Sequence, residues 1–579
     1  MSEASDDYVS TERSFAAWLT VIALLALALR LLFPTADPPW ESTVGIVWHD
    51  EGAWVHNARN KALFGAWTAD AWNPMYIAPV FTALEYVSFA VFGVGVWQAR
   101  LVSELTGFAS VLLLGLGVRR VAGRDAGLIA AILAATNYVY VMWNRAALME
   151  ATMVAFIVAG WYCYVRAQRQ PWLGVLAAAC ALLAYFTKAA AVFFVAALGV
   201  EAFIALIRPS PADTSASRSA AWMTLAGLTI CGVLALALFV LPNWTDYRFY
   251  NWQMSVTRKP SYDVRSLVDR VTWFPIIHDI FTRMWFTVFV AVLALFGMVA
   301  RWRQLSAPER LLVLWVGLGA LELLVHDVGN ERRFIFFIPA LIALAAIVLG
   351  RERRILAPQV GLLSRTKAAI AIPLVFYGAY IVIGALARLA YIYVPGPGVR
   401  LSAALALLCT VAVYATWPRL PRFLAGARWS PSAAAVLALV VAAGQLLQYG
   451  QWALGRSYKN YAASVELGRL LPAGTLVHGK LANGLSLENR IRPIFVGREF
   501  GNYQDRRQRD DVRYILTYVV PTVGHEGSVI QDVLEAYPDR TIIRMFDVAE
   551  TATGHDRAAL IDKFGGKPPK GAGLTRAHD

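Results

Sequence analysis

The chain runs to 579 residues, of which 58% are hydrophobic and 16% charged, with a mean hydropathy of +0.51 and 20 tryptophans. A soluble globular protein is closer to roughly 45–50% apolar and 25% charged, so the composition excludes a soluble fold and describes a polytopic membrane protein. The net charge of +14 does not make a nucleic-acid binder. Lys and Arg fall in short clusters between apolar runs, as at Arg119, Arg120 and Arg124 or at Arg351, Arg353 and Arg354, which is the pattern of cytoplasmic loops.

In chain order, residues 1–14 read as a cytoplasmic tail, and Ala16 to Phe33 continues without a small-residue cleavage site, which predicts an uncleaved signal anchor. Apolar runs of spanning length fall at 15–34, 100–118, 126–143, 148–166, 172–187, 189–207, 221–241, 284–300, 310–326, 334–350, 368–390, 398–416 and 432–449. The four cysteines, Cys163, Cys180, Cys231 and Cys409, all lie inside such runs without metal spacing and read as small hydrophobes. A further run, Met75 to Val96, is interrupted by Pro79 and Glu85. If it lies along the interface, the basic loops at 119–124, 166–169, 208–218, 301–310, 351–367 and 419–428 share the side of the N-terminus; if it spans, they move outside. The positive-inside rule therefore predicts about thirteen spans within a transmembrane domain over 15–453, with interfacial helices in a first outer loop over 35–99 and a second long outer loop over 242–283.

After Ala453 the composition changes. "VELGRLLPAGTLVHGK" reads as an amphipathic helix, a turn and a strand, and "DVRYILTYVV" and "RTIIRMFDV" as further strands. The expectation is a small α/β domain over 456–550 on the outer face, without a nucleotide motif, followed by a disordered tail over 555–579. The fold class is thus an all-α polytopic membrane protein with a small C-terminal α/β extracytoplasmic domain.

This topology gathers polar segments on the outer side: 35–75, Asn144 to Glu150, the neighbourhood of Lys188, 242–283 and 326–333. Ionisable groups at a membrane boundary are expensive to keep and so point to function. Asp50 and Glu51 read either as a solvated loop or as a general base with a neighbouring carboxylate. Arg59 and Lys61 read as headgroup anchors or as ligands of a lipid phosphate. Glu150 opens a span with Arg145 five residues before it, close enough to pair if both are helical. Lys188 sits in "YFTKAAAVFF", where an ammonium requires a polar partner. "HDVGNERRFIFFIPAL" places His326, Asp327, Glu331, Arg332 and Arg333 at the mouth of a span, and arginines on the outer side favour an anionic ligand. No HExxH, CxxC or nucleophile elbow is present, which predicts chemistry without a metal or a cofactor.

The succession "HDEGAW...ARNKALFGAW", "PMYIAPVFTALEYVSFAVFG", "WQARLVSELTGF", "NRAALMEATMVAFIVAGWY", "YFTKAAAVFF" and "ERRFIFFIPAL" resembles the type C glycosyltransferases. The resemblance is to the branch of protein O-mannosyltransferases and aminoarabinose transferases, and covers about residues 10 to 350. It implies that Asp50 is the catalytic base with Glu51 beside it, that Glu150 is the second acidic residue, and that Arg100 of the "RLVS" segment belongs to the site. By position it also makes Arg59, Lys61, Lys188, Arg332 and Arg333 candidates for the lipid phosphate. The donor implied is a polyprenyl-phosphate sugar and the acceptor an extracytoplasmic glycan, lipid or protein, at the inner (plasma) membrane. Departures from the pattern are Gly52 after the acidic pair, Trp54 where aminoarabinose transferases often carry Tyr, and Ala78-Pro79 where the family has Pro-Pro. The expected reaction is an inverting, metal-independent transfer. A lipid-sugar flippase or an inactive scaffold of cell-envelope assembly is the rival, which would spread polar residues through the bilayer instead of gathering them at one face.

Overall fold

The computed structural model describes residues 2–39, 48–253, 262–266, 283–326, 331–352, 376, 378–380, 383, 399–416, 430–497, 500, 502, 507–520, 534–549 and 556–567. The body is helical. Among the described residues five helices are long and apolar enough to cross a membrane, Glu12–Leu31, Val96–Ala122, Ala189–Ile207, Ser215–Val240 and Pro431–Leu470, or six with one bent pair counted as a span. Shorter helices, including Leu173–Thr187, Trp285–Ala300 and Phe337–Ile347, pack among them. The predicted span at 368–390 lies outside the described residues except at 376, 378–380 and 383.

The bent pair replaces the single span predicted over 126–143. Arg124–Thr136 and Tyr138–Asn144 meet at 62°, because Asn137 leaves the helical region (φ −55°, ψ 112°) and its side chain accepts from the Tyr140 amide. The Tyr138 amide donates to Gln445 Oε1 at 2.9 Å, so the backbone groups freed by the bend are satisfied inside the protein, as an apolar surrounding demands. The bend leads the chain to Asn144 and Arg145. Small residues admit close helix approach nearby: a Cβ on Gly107 would lie 2.3 Å from the Asn144 side chain.

Between the first span and Val96–Ala122 lie the helices Trp48–Trp54, His56–Phe64 and Pro79–Phe92. The last has 14 residues, about 21 Å at 1.5 Å per residue, which falls short of a hydrocarbon core of about 30 Å. At the N-terminus the helix begins at Ser2, so the expected tail is helical up to the first span.

The C-terminal region forms a five-stranded sheet of order β2-β1-β3-β5-β4, where β1 is Leu476–His478, β2 Arg492–Ile494, β3 Tyr514–Val520, β4 Thr541–Val548 and β5 Asp556–Asp562. β1 runs parallel to β2 and β3, and β5 antiparallel to β3 and β4. The tail predicted as disordered from 555 is therefore corrected over 556–562. That segment is an inner strand, with Ala558, Ala559 and Leu560 buried, and it alternates too little for its period to be read from sequence. Leu467 of the helix Lys459–Leu470 packs with Val477, Leu516, Phe546 and Leu560. Trp48 of the helix Trp48–Trp54 joins the same cluster. Asp37, after the first span, accepts from the amides of Lys459 and Asn460 and from the Ser457 hydroxyl, and so caps that helix from a distance. Burial pushes the Asp37 carboxyl above its ordinary range, against those hydrogen bonds.

Candidate active site

Four charged side chains from four segments meet beside the helix Trp48–Trp54. Arg332 Nη1 donates to Asp50 Oδ2 at 2.9 Å, and its Nε lies 3.9 Å from Glu150 Oε1. Lys188 Nζ donates to the same Glu150 oxygen at 2.5 Å. Glu150 is fully buried and Asp50 is 8% exposed. The chain breaks its helical path beside two of the contributors. Lys188 is extended (φ −157°, ψ 125°) between Leu173–Thr187 and the next helix, and Leu148 is extended just before Glu150. His49 Nε2 lies 3.8 Å from Asp50 Oδ1, whereas Arg332 Nη1 donates to Oδ2.

Glu51 is held differently. Arg100 grips it with two hydrogen bonds of 2.8 Å, and the Ala147 amide donates to it at 2.9 Å. Arg100 also donates to the carbonyls of Pro34 and Ala36. A fork-on-carboxylate pair of this kind is strong and directional, so Glu51 anchors the helix that presents Asp50 and joins it to the Val96–Ala122 helix.

The other predicted residues go elsewhere. Arg145 does not pair with Glu150: residues 145–148 are not helical, and its guanidinium donates to the carbonyls of Leu29, Arg30 and Phe33 and lies over the Trp452 ring. Arg59 is buried and donates to the carbonyls of Ser486, Asn489 and Ile491, which engages its Nε and Nη2 within the protein instead of offering them to a lipid phosphate. Lys61 donates to the Gly65 carbonyl and lies over Trp67, apart from the acidic group. The side chains of His326 and Arg333 lie outside the described residues.

Sequence reasoning passed over two features. One is Glu85, fully buried on the Pro79–Phe92 helix with no hydrogen bond to either carboxylate oxygen among the described residues. Burial, and after it the charge of Glu51, drives its carboxyl well above the ordinary value of 4.5. The other is Arg30, which donates to Asn144 Oδ1 at 2.9 Å beneath the site. A charge inside an apolar run was the available signal for both. Among the described residues no group of three His, Cys, Asp or Glu side chains is placed to hold a metal.

Residues 74–251 match the family model of dolichyl-phosphate-mannose-protein mannosyltransferase. That stretch carries Arg100, Arg145, Glu150 and Lys188, whereas Asp50 and Arg332 flank it. No curated protein matches the chain by sequence. The fold is similar to that of ArnT from Cupriavidus metallidurans bound to undecaprenyl phosphate, with a TM-score of 0.53 and 17% identity over 95% of this chain and 98% of that one. The apo state of the same protein gives 0.51 and 16% over 97% and 99%. Over residues 74–251 the chain thus resembles the dolichyl-phosphate-mannose-protein mannosyltransferases, and across nearly its whole length its fold is similar to that of ArnT.

Proposed function

We propose that the protein is an integral-membrane glycosyltransferase that moves a sugar from a polyprenyl phosphate to an extracytoplasmic hydroxyl with inversion, and that Asp50 is its general base. The observation that carries this reading is Arg332 placed between Asp50 and Glu150. One cation there is shared by the carboxylate that would take a proton and the acidic residue that Lys188 also holds.

In the transfer, the acceptor oxygen bonds to the anomeric carbon as the bond from that carbon to the phosphate oxygen breaks. Asp50 takes the hydroxyl proton, and the lipid phosphate departs with the electron pair. Charge grows on that phosphate, and Arg332 and Lys188 are the cations at hand to stabilise it. A donor phosphate beside Arg332 competes with Asp50 for the guanidinium, so donor binding releases the carboxylate for its role as base. Glu51, gripped by Arg100, positions the helix. About thirteen spans with the N-terminus in the cytoplasm would place the sheet domain and this site on the outer face of the inner membrane. Gathering of Asp50, Glu150, Lys188 and Arg332 into one cluster favours an enzyme over a translocation path.

The test is transfer by the full chain in proteoliposomes from radiolabelled polyprenyl-phosphate mannose, arabinose and aminoarabinose, with envelope lipid, glycan and protein fractions as acceptors. One donor should yield labelled product with an inverted anomeric centre. Movement of intact lipid-sugar across the bilayer without cleavage would establish the flippase instead.

A further inference from the structure

The helix that carries Asp50 and Glu51 does not rest on the membrane body alone. A Cβ built on Gly52 would sit 1.8 Å from the Asn483 carbonyl oxygen. The approach is reciprocal, since a Cβ on Gly484 would lie 2.7 Å from the Trp48 ring and 2.8 Å from His49 Cα. Only glycine on both surfaces allows backbone to meet backbone so closely. Trp48, 3% exposed, belongs to the apolar core of the sheet domain with Leu481 and Leu485. Burial of an indole ring of this size contributes a large apolar term to the docking.

Polar contacts continue the same seam. Asn483 Nδ2 lies 3.1 Å from His56 Nδ1, and Arg59 holds Ser486, Asn489 and Ile491 by their carbonyls at 2.9–3.0 Å. Glu488 Oε1 accepts from the Val96 amide at 2.7 Å, at the start of the helix whose Arg100 grips Glu51. One short stretch of the sheet domain thus touches both elements of the Glu51–Arg100 pair, and its tightest contact falls one residue after Glu51 and two after Asp50.

We infer that residues 483–491 are a positioning element for the transfer: the sheet domain presses on Gly52 and thereby sets where Asp50 stands relative to Arg332 and Glu150. This rests on the glycosyltransferase reading for its functional part, and its geometric part can be read without activity. Displacing a reacting group by about 1 Å costs on the order of 100-fold in rate.

The experiment uses the full chain carrying Gly484→Ala, and separately Arg59→Lys, which keeps the charge but loses the fork. Transfer from the labelled donor, hydrogen–deuterium exchange of residues 48–54 and the thermal midpoint are measured together. For Gly484→Ala, kcat should fall about 10- to 100-fold with KM for the donor within about twofold, and the 48–54 amides should exchange faster by more than any fall in the midpoint accounts for. Arg59→Lys should move the same quantities the same way by less, and decides alone if Gly484→Ala does not fold. Unchanged exchange at 48–54, or a kcat loss that only tracks a falling midpoint, overturns the inference. A wild-type chain that transfers none of the three sugars overturns the glycosyltransferase reading, while exchange at 48–54 still decides the clamp.

Discussion

Two buried ionic groups in this molecule are built from the same residue types to different ends. Apart from the Asp50 cluster, Arg310 donates through Nε and Nη2 to Glu201, through Nη2 to Asp213 and through Nη1 to the Leu305 carbonyl, with its side chain 2% exposed. Around Asp50, Arg332 is 23% exposed, and its approach to Glu150, at 3.9 Å, is an ion pair beyond hydrogen-bond range. A guanidinium engaged through all three nitrogens is a staple that fixes helix against loop. A partly open one whose bonds are unequal can exchange a carboxylate for a phosphate.

Substitutions on the two arginines should separate those roles. Arg310→Met strands Glu201 and Asp213 in a buried site, a loss of about 3–5 kcal/mol. Folded yield and thermal midpoint should collapse, while transfer per folded molecule stays that of the wild type. A variant that folds normally yet loses transfer would erase the distinction. Arg332→Gln should do the reverse, lowering transfer about 100-fold, or ~2.7 kcal/mol of transition-state stabilisation, with a thermal midpoint close to that of the wild type.

A smaller effect comes from Glu85. Its carboxyl value is raised in the folded state, so between the ordinary value of 4.5 and that raised value the folded chain binds more protons than the unfolded one. Stability contributed by this group therefore falls as pH rises, by up to ~1.4 kcal/mol per pH unit. Glu85→Gln removes that slope. Thermal midpoints measured from pH 5 to pH 8 should show the variant gaining on the wild type as pH increases, and parallel curves would contradict the assignment of Glu85 as a buried neutral acid.

Hydropathy made the helical membrane fold legible, because a span must be apolar over most of its length whatever its partners. It could not show the bend at Asn137, since one amide in an apolar run barely changes the average while its side chain replaces a helical acceptor. β5 escaped for a related reason: "DRAALID" owes its strand to neighbours on both sides, not to its own period. At the site, Asp50, Glu150, Lys188 and Arg332 stood out as charges where charges are expensive, and the structure brings those four together. Arg59 and Arg145 carried the same signal for another purpose. Burial of a guanidinium against backbone carbonyls and burial against a carboxylate look alike in sequence, and only the fold says which partner is within reach.

The central claim is that Asp50 accepts the acceptor's proton during sugar transfer. Asp50→Asn keeps the shape and removes the base. Reconstituted in proteoliposomes with the donor that labels product in the wild type, it should lose about 10²- to 10⁴-fold in transfer while its thermal midpoint and its binding of that donor persist. Transfer at the wild-type rate by a folded Asp50→Asn chain would contradict the account.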